Sequence, residues 1–520
     1  MHVGRSLCPL DLMDSRPLLY ELNTRCWLQE WGVREGRAVT LADVPVEEFA
    51  RWRRQGFSHV WLMGAWTNGP LSREVFLRGG DLGAHLDEAL PGWTKEDIAG
   101  SPYAIQKYTV PAALGGEAGL RRVRRELNRA GLRLLLDFVP NHLGLDHPWA
   151  GQHPDWFMPG EPGADGSFEQ TTVHGPRWLS HGRDPWFPAW ADTVQVDIRR
   201  PQPRAALIRD LAMIQERCDG VRCDMAMLLL SDVFSRTWAG HPLEGPGAAG
   251  EFWGEVMDTC GRPGFTFLAE VYWDLEERLQ ELGFDFTYDK KVTDHVMTGD
   301  GAALQRHLQG KSAGHLQRSV HFLENHDEPR VAGRLGGAAH EAASLLILAL
   351  PGMGFLHQGQ REGARTRASV HLRRRRVEPV QERWTQWYDS LLQVRMNSRL
   401  GVGRPAILRL TPLGEDRIAD QLVAIQWEGE REDSGFDLVI VNVTGQGGCC
   451  ALDLSGLPGS AVEKVFRSRL GTAPGVDAPT PAGVGRPPTM ALQIRQLGRN
   501  RIVLEVPPHG IGWWNVTSAT

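Results

Sequence analysis

The chain is short of tyrosine (6 residues in 520) and cysteine (7), and it has no long apolar run and no excess of positive charge. Each shortage excludes something. The cysteines (8, 26, 218, 223, 260, 449 and 450) are odd in number and form no CxxC pair, which argues against a disulfide framework or a zinc knuckle and favours reduced thiols in a cytoplasm. The longest apolar stretch, near 345–350, is closed by Pro351-Gly352. It falls far below the ~20 residues of a membrane span, so no membrane partner is expected. The first twenty residues carry charges throughout and no apolar segment, so no secretory signal is expected. Lys+Arg number 57 against 63 Asp+Glu, a net charge of −6, which speaks against a nucleic-acid partner. What the chain does have is 42% hydrophobic residues, enough for a sizeable core, and 19 tryptophans. Most of these should be packing, but indole faces also suit the apolar side of a sugar ring.

Short β-rich apolar runs recur at 18–28, 58–64, 133–139, 218–225, 265–271, 284–289, 319–323 and 353–357. Helical patterns lie between several of them, at 46–55, 119–130, 203–217 and 338–350. Eight alternating units predict a parallel (β/α)₈ TIM barrel. The absence of a glycine-rich phosphate loop after the first run weakens the doubly wound alternative. The segment 142–192 is rich in Gly, Pro and Trp and lacks a period, as expected of a functional loop insertion after the third strand. From 398 to 520 strand-like runs alternate with Gly/Pro-rich connections, and a Gly/Pro-rich surface loop is expected at 474–488. The expected organisation is a catalytic barrel of 1–141 and 193–397, an inserted subdomain 142–192, and a C-terminal all-β sandwich 398–520.

Barrel chemistry sits at the C-terminal ends of the strands. Four predicted strand ends carry polar clusters: Asp137-Phe-Val-Pro-Asn141-His142, Arg222-Cys-Asp224, Glu270, and Glu324-Asn325-His326-Asp327. One residue in eight is acidic, so a single such carboxylate means little. Four together are informative. Arg222 and Asp224 are two apart and share a face, with Cys223 turned to the helix layer. The arginine is expected to hold Asp224 ionised and lower its pKa, whereas Glu270 is expected to arrive without an adjacent cation and with a raised pKa. An ionised nucleophile and a protonated acid divide the work of retaining glycoside hydrolysis.

These four segments, in this order, resemble the signature regions of the α-amylase family (glycoside hydrolase family 13), and the resemblance spans roughly residues 18–395 and extends to the terminal β-domain. It implies Asp224 as nucleophile, Glu270 as general acid/base and Asp327 as a transition-state stabiliser gripping sugar hydroxyls. It implies that Arg222 orients Asp224, that His142 and His326 bond the sugar next to the cleaved bond, and that Asp137 is structural near Arg222. Tyr103, in SPYAIQKY, matches the aromatic stacked under that sugar.

The departures matter too. Where many α-amylases continue the fourth motif with Lys-His, this chain has Met227 and Leu228; Lys107 replaces a common Asp, and the turn after the eighth strand reads Gln358-Gly-Gln-Arg-Glu362-Gly. Asn141 matches a calcium ligand of those amylases, but one amide is no site for an ion that takes six to eight oxygens. No metal and no cofactor are therefore expected, although Asp146, Asp155 and Asp184 stand in the insertion. The substrate is expected to be a short α-glucoside or maltooligosaccharide. The alternatives are glucosyl transfer to sugar or phosphate through the same intermediate, and a non-catalytic sugar-binding barrel. The oligomeric state is not legible.

Overall fold

The computed structural model describes residues 16–79, 82–243, 245, 247–429, 435–453, 492–497 and 501–516. The expected 474–488 loop, the first fifteen residues and Cys8 lie outside them.

Eight parallel strands close a barrel: β1 (Leu18–Asn23), β2 (His59–Met63), β3 (Arg133–Phe138), β4 (Gly220–Cys223), β5 (Thr266–Ala269), β6 (Phe286–Tyr288), β7 (Ser319–His321) and β8 (Met353–His357). Each pairs with its sequence neighbours, and β1 closes the ring against β8, with Glu21 opposite His357. All eight lie within the apolar runs, so the (β/α)₈ expectation holds.

Strand alternation sorts the side chains. Leu19, Trp61, Leu135, Leu268, Tyr288, Val320, Met353 and Phe355 fill the barrel interior as one apolar cluster. Their neighbours one residue away, such as Leu18, Leu134, Leu136 and Leu356, pack outward against the helices. The helices face inward on residues three and four apart: Gly116–Arg129 buries Leu120, Val123 and Leu127, and Pro201–Gln215 buries Leu207, Leu211 and Ile214. Helix Gly337–Ala349 is buried almost continuously from Ala342 because it packs on β8 on one side and on strand Phe436–Asn442 of the terminal domain on the other. That double contact explains why it carries the chain's longest apolar run.

The first run was read too long. The strand ends at Asn23, whose side chain accepts the Cys26 N–H (3.2 Å) and caps helix Thr24–Glu35. Trp27 and Leu28, read as strand residues, are buried on that helix. The 142–192 segment also contains regular structure. Strand His142–Gly144 pairs with Thr193–Gln195, and Ser167–Thr172 forms a hairpin with Gly175–Ser180.

The terminal region is two four-stranded antiparallel sheets. Strands Leu422–Glu428 and Phe436–Asn442 alternate between two cores. Leu422, Ala424, Leu438 and Ile440 face the second sheet, and Val423, Ile425, Val439 and Val441 pack toward the barrel. Trp427 ties the two together, its Nε1 donating to Ala349 O (2.8 Å).

Candidate active site

The alternation that fills the barrel also arms its rim. Two residues above Leu19, Leu135, Leu268 and Phe355 come Glu21, Asp137, Glu270 and His357, all buried. Arg222 lies opposite Leu268 in the β4–β5 register, so Asp224 and Glu270 emerge side by side beyond the strand ends.

Arg222 sits at the centre. Its guanidinium lies between the rings of Trp61 (5.1 Å) and Tyr103 (5.3 Å). One terminal nitrogen, Nη1, meets Asp224 Oδ1 at 2.5 Å and the other, Nη2, meets Glu270 Oε2 at 2.8 Å. This corrects two expectations. Glu270 does have a cation beside it, and it is the same one. Asp224 is not held below the ordinary carboxylate range either: burial pushes it up and Arg222 only partly offsets the push. Burial likewise raises Glu270, again against Arg222 and with help from the neighbouring Asp224 charge.

The two carboxyls differ in their other bonds. Among the described residues nothing bonds Asp224 Oδ2. Glu270 Oε2 also accepts the Met225 N–H (2.7 Å), and Oε1 accepts from the Tyr272 hydroxyl (2.9 Å). Met225 reaches that position in a left-handed conformation, φ 44°. Such a conformation is uncommon outside glycine.

The third carboxylate comes from the turn after β7. Asn325 Oδ1 accepts the N–H groups of Asp327 and Glu328 (both 2.9 Å), which shapes that turn. His326 Nε2 lies 2.9 Å from Asp327 Oδ2 and 2.7 Å from the Tyr103 hydroxyl. Burial would raise the Asp327 pKa, but His326 and Arg222 bring it to about 2. Its side chain is still 50% exposed and faces the opening.

Asp137 is anchored on the β2 side: its carboxylate accepts from Trp61 Nε1 (3.0 Å) and from the Gly64 N–H (2.8 Å). Gly64 needs to be glycine here, with φ 71° and Pro102 at 2.8 Å from where a Cβ would stand. Burial raises Asp137 to about 6. His142 is buried against Trp190 (4.8 Å between rings), and burial lowers its pKa to about 4, so it is neutral at pH 7. Asn141 turns to Gln195, whose Nε2 donates to Asn141 O (2.8 Å) and Oδ1 (3.1 Å). Its amide oxygen is thus engaged by the protein. Asp184 Oδ1 accepts the N–H groups of Trp186 (2.6 Å) and Phe187 (2.9 Å). Among the described residues no three His, Cys, Asp or Glu side chains gather as metal ligands. Met227 and Leu228 are packed in the core within the turn Ala226–Leu229.

The structure adds residues that the sequence reading passed over. Glu21 bonds His326, Trp61 supports Arg222 and Asp137, and Tyr272 bonds Glu270. Only Glu21 left a visible signal, a charge inside the apolar strand LLYELN. The mouth carries exposed aromatics: Trp186 (73%) and Phe187 from the insertion, and Trp273 (39%), three residues after Glu270. The Trp186 and Trp273 rings meet edge to face at 6.5 Å.

No family model matches the chain. Among curated proteins it is 25% identical over 268 residues to α-amylase MalA of Haloarcula japonica, covering 50% of this chain and 36% of that protein. It is 26% identical over 294 residues to Maltase 1 of Drosophila virilis, covering 45% of each. The chain thus spans less than half the length of these two relatives. Solved structures with the same fold include an α-amylase from Lactobacillus plantarum (18% identity, TM-score 0.63, 96% of this chain and 99% of that one) and a debranching enzyme from Nostoc punctiforme (15%, 0.61, 97% and 98%). The resemblance to α-amylase-family proteins therefore holds in sequence and in fold.

Proposed function

We propose that the chain is a retaining glycoside hydrolase that cleaves α-glucosidic bonds in short α-glucosides or maltooligosaccharides through a covalent glycosyl intermediate on Asp224. The observation that carries this reading is the Arg222 bridge. Asp224 and Glu270 bind the two ends of one guanidinium, which suits the separation of about 5 Å that retaining chemistry uses better than the wider gap that admits a water.

The free Oδ2 of Asp224 attacks the anomeric carbon. Glu270, whose pKa burial raises, gives its proton to the departing glycosidic oxygen as the C–O bond breaks. Oε2 is occupied by Arg222 and Met225, so the proton belongs on Oε1, whose partner among the described residues is the rotatable Tyr272 hydroxyl. In the second half Glu270 takes a proton from water, which attacks the anomeric carbon and releases Asp224. Asp327 grips sugar hydroxyls, Tyr103 stacks beneath the ring, and His142 bonds its hydroxyls; both nitrogens of His326 are taken by Glu21, Asp327 and Tyr103, so His326 acts on the sugar through Asp327. Arg222 orients both carboxyls, and Asp137 fixes Trp61 beneath Arg222.

The described thiols are all free, and all but Cys449 are buried. Free thiols suit a reducing compartment, and we place the reaction in the cytoplasm. The test is incubation with α-1,4, α-1,6 and α-1,1 glucosides, with and without phosphate, following the anomer first released. An α-anomer from a short substrate is expected. A first product of β configuration would overturn retention, and a glucosyl phosphate or a lengthened sugar as main product would turn the assignment to transfer.

A further inference from the structure

Glu21 stands outside every role assigned above, yet it is fully buried beneath the site. It belongs to β1, and its Oε1 lies 2.5 Å from Nδ1 of His326, a residue 305 positions away in the chain. On the other edge of the same ring, Nε2 lies 2.9 Å from Asp327 Oδ2. An ionised carboxylate can only accept a hydrogen bond. With carboxylates on both nitrogens, the ring satisfies both only by donating twice, as an imidazolium. We propose that Glu21 is a positioning residue of the reaction: from β1 it fixes the orientation and charge of His326, and through His326 it holds the carboxylate of Asp327. This rests on the reading in which Asp327 contacts the sugar.

The surroundings agree. Among the described residues Glu21 Oε2 has no hydrogen-bond partner, and His357 Nε2 lies 3.8 Å from it. His357 Nδ1 accepts a hydrogen bond from Arg330 Nη1 (2.9 Å), so its own proton sits on Nε2, on the side of Glu21. Arg330 is in turn paired with Glu324 (2.6 Å). A row of polar groups thus runs from buried Glu324 through Arg330, His357 and Glu21 to His326 and the half-exposed Asp327, with a 3.8 Å step between His357 and Glu21. It joins β8, β1 and the turn after β7.

The other charged or titratable groups facing His326 are Tyr103, Asp137 of β3, Asp224 beyond β4 and His357 of β8. Burial would lower the His326 pKa, but Asp327 and Glu21 outweigh it and hold the pKa well above the ordinary value. His357 moves the opposite way, lowered by burial and by Arg330, and stays neutral. The positive charge is therefore placed on His326, beside the sugar, and Glu21 decides which histidine carries it.

The test uses the full-length protein labelled with ¹⁵N-histidine, with His326 assigned by comparison with a His326→Gln protein. In the wild type, both ring nitrogens of His326 should remain protonated above pH 8. In Glu21→Gln, which keeps an acceptor of the same shape, the titration should fall by one pH unit or more. The same variant should lose about ten-fold or more in kcat with little change in KM, and its activity should acquire an alkaline loss that tracks the lowered His326 titration, beside the one set by Glu270. Glu21→Asp, which keeps the charge, should restore part of the titration shift. A wild-type His326 that loses its second proton near pH 6.5 would overturn the proposal even if no variant folds. So would a Glu21→Gln protein whose activity falls only in proportion to its folded fraction, with the wild-type pH profile. A wild type that shows the expected titration but acts on no glucoside would instead refute the proposed reaction, leaving the Glu21–His326 coupling intact.

Discussion

The floor and the mouth of the site are built on opposite plans. The floor is buried and charged, and each group is fixed by several others: Arg222 is clamped between two rings and two carboxyls, and His326 between Glu21, Asp327 and Tyr103. The mouth is exposed and apolar, and few contacts fix it. Trp186 and Phe187 project from an insertion loop, and Trp273 and Asp274 sit consecutively in the left-handed region at φ 67° and 61°. A tryptophan there is a true outlier, and such strain costs roughly 1–3 kcal/mol. Bond-breaking needs groups held in one geometry, whereas choosing a substrate needs only a surface that fits. Substitutions in the floor should therefore change kcat and those in the mouth KM.

The largest effect should come from Asp224→Asn. An amide cannot form the glycosyl intermediate, so kcat should fall by about 10⁴-fold or more while the protein stays folded. A variant keeping a tenth of the wild-type rate would remove Asp224 from the mechanism. Glu270→Gln comes next, with a loss of about 10²- to 10⁴-fold on sugars with poor leaving groups and much less on activated aryl glucosides. The pH profile gives a second reading. Asp224 must be ionised and Glu270 protonated, and burial raises both. The wild-type rate should therefore fall in acid as Asp224 takes up its proton, at a higher pH than for a free carboxylate. It should fall in alkali as Glu270 loses its proton, and Glu270→Gln should lack that alkaline limb. Equal losses on both substrate types, with the limb intact, would place the acid elsewhere.

The same contrast explains what the sequence disclosed. Strand periodicity located all eight barrel strands, because an interior filled by alternate residues writes its pattern locally. The carboxylates of Asp224, Glu270 and Asp327 were legible for the same reason, since each follows its strand by one or a few residues. Glu21 was visible only as a charge in an apolar strand, because its partner comes from across the closed ring. The shared use of Arg222 was also hidden. Spacing two residues apart shows that Arg222 can reach Asp224, but only the register against Leu268 shows that it reaches Glu270 as well. The first strand was misread because β-rich residues after Asn23 follow a capped helix, and a cap outweighs weak propensity. The strained backbone at Trp273 left no mark, because nothing about a tryptophan signals positive φ.

The mouth can be tested by separating its surface from its strain. Trp273→Ala should raise KM for short α-glucosides by roughly three- to ten-fold, the loss of one aromatic contact of about 0.5–1.5 kcal/mol, with kcat nearly unchanged. Trp273→Gly removes the same ring but suits a left-handed backbone, so it should be more stable than the alanine variant by about 1 kcal/mol while sharing its KM. If kcat fell with either variant as steeply as KM rose, the division between floor and mouth would not hold.

The smallest expected effect is none at all, from chelation. Met227 and Leu228 occupy the positions where many α-amylases carry a Lys-His pair, and both are packed in the core, so neither can bond a hydroxyl or a hard cation. Asn141 offers its amide oxygen to Gln195 Nε2. Activity and melting temperature should therefore be the same with and without EDTA. The same apolar turn, Ala226–Leu229, begins two residues after Asp224 and takes a polar contact away from the aglycone side, where a long polymer would lie. Maltose and maltotetraose should accordingly be cut faster than soluble starch, with the aromatic mouth supplying the grip that a short substrate needs. The two halves can fail separately. Activity lost in EDTA and restored by calcium would show that the protein builds an oxygen cage away from Asn141. Starch preferred over every short sugar would show that the mouth serves a long chain, and the comparison would then have to be redrawn with Trp186 and Trp273 as the start of an extended track.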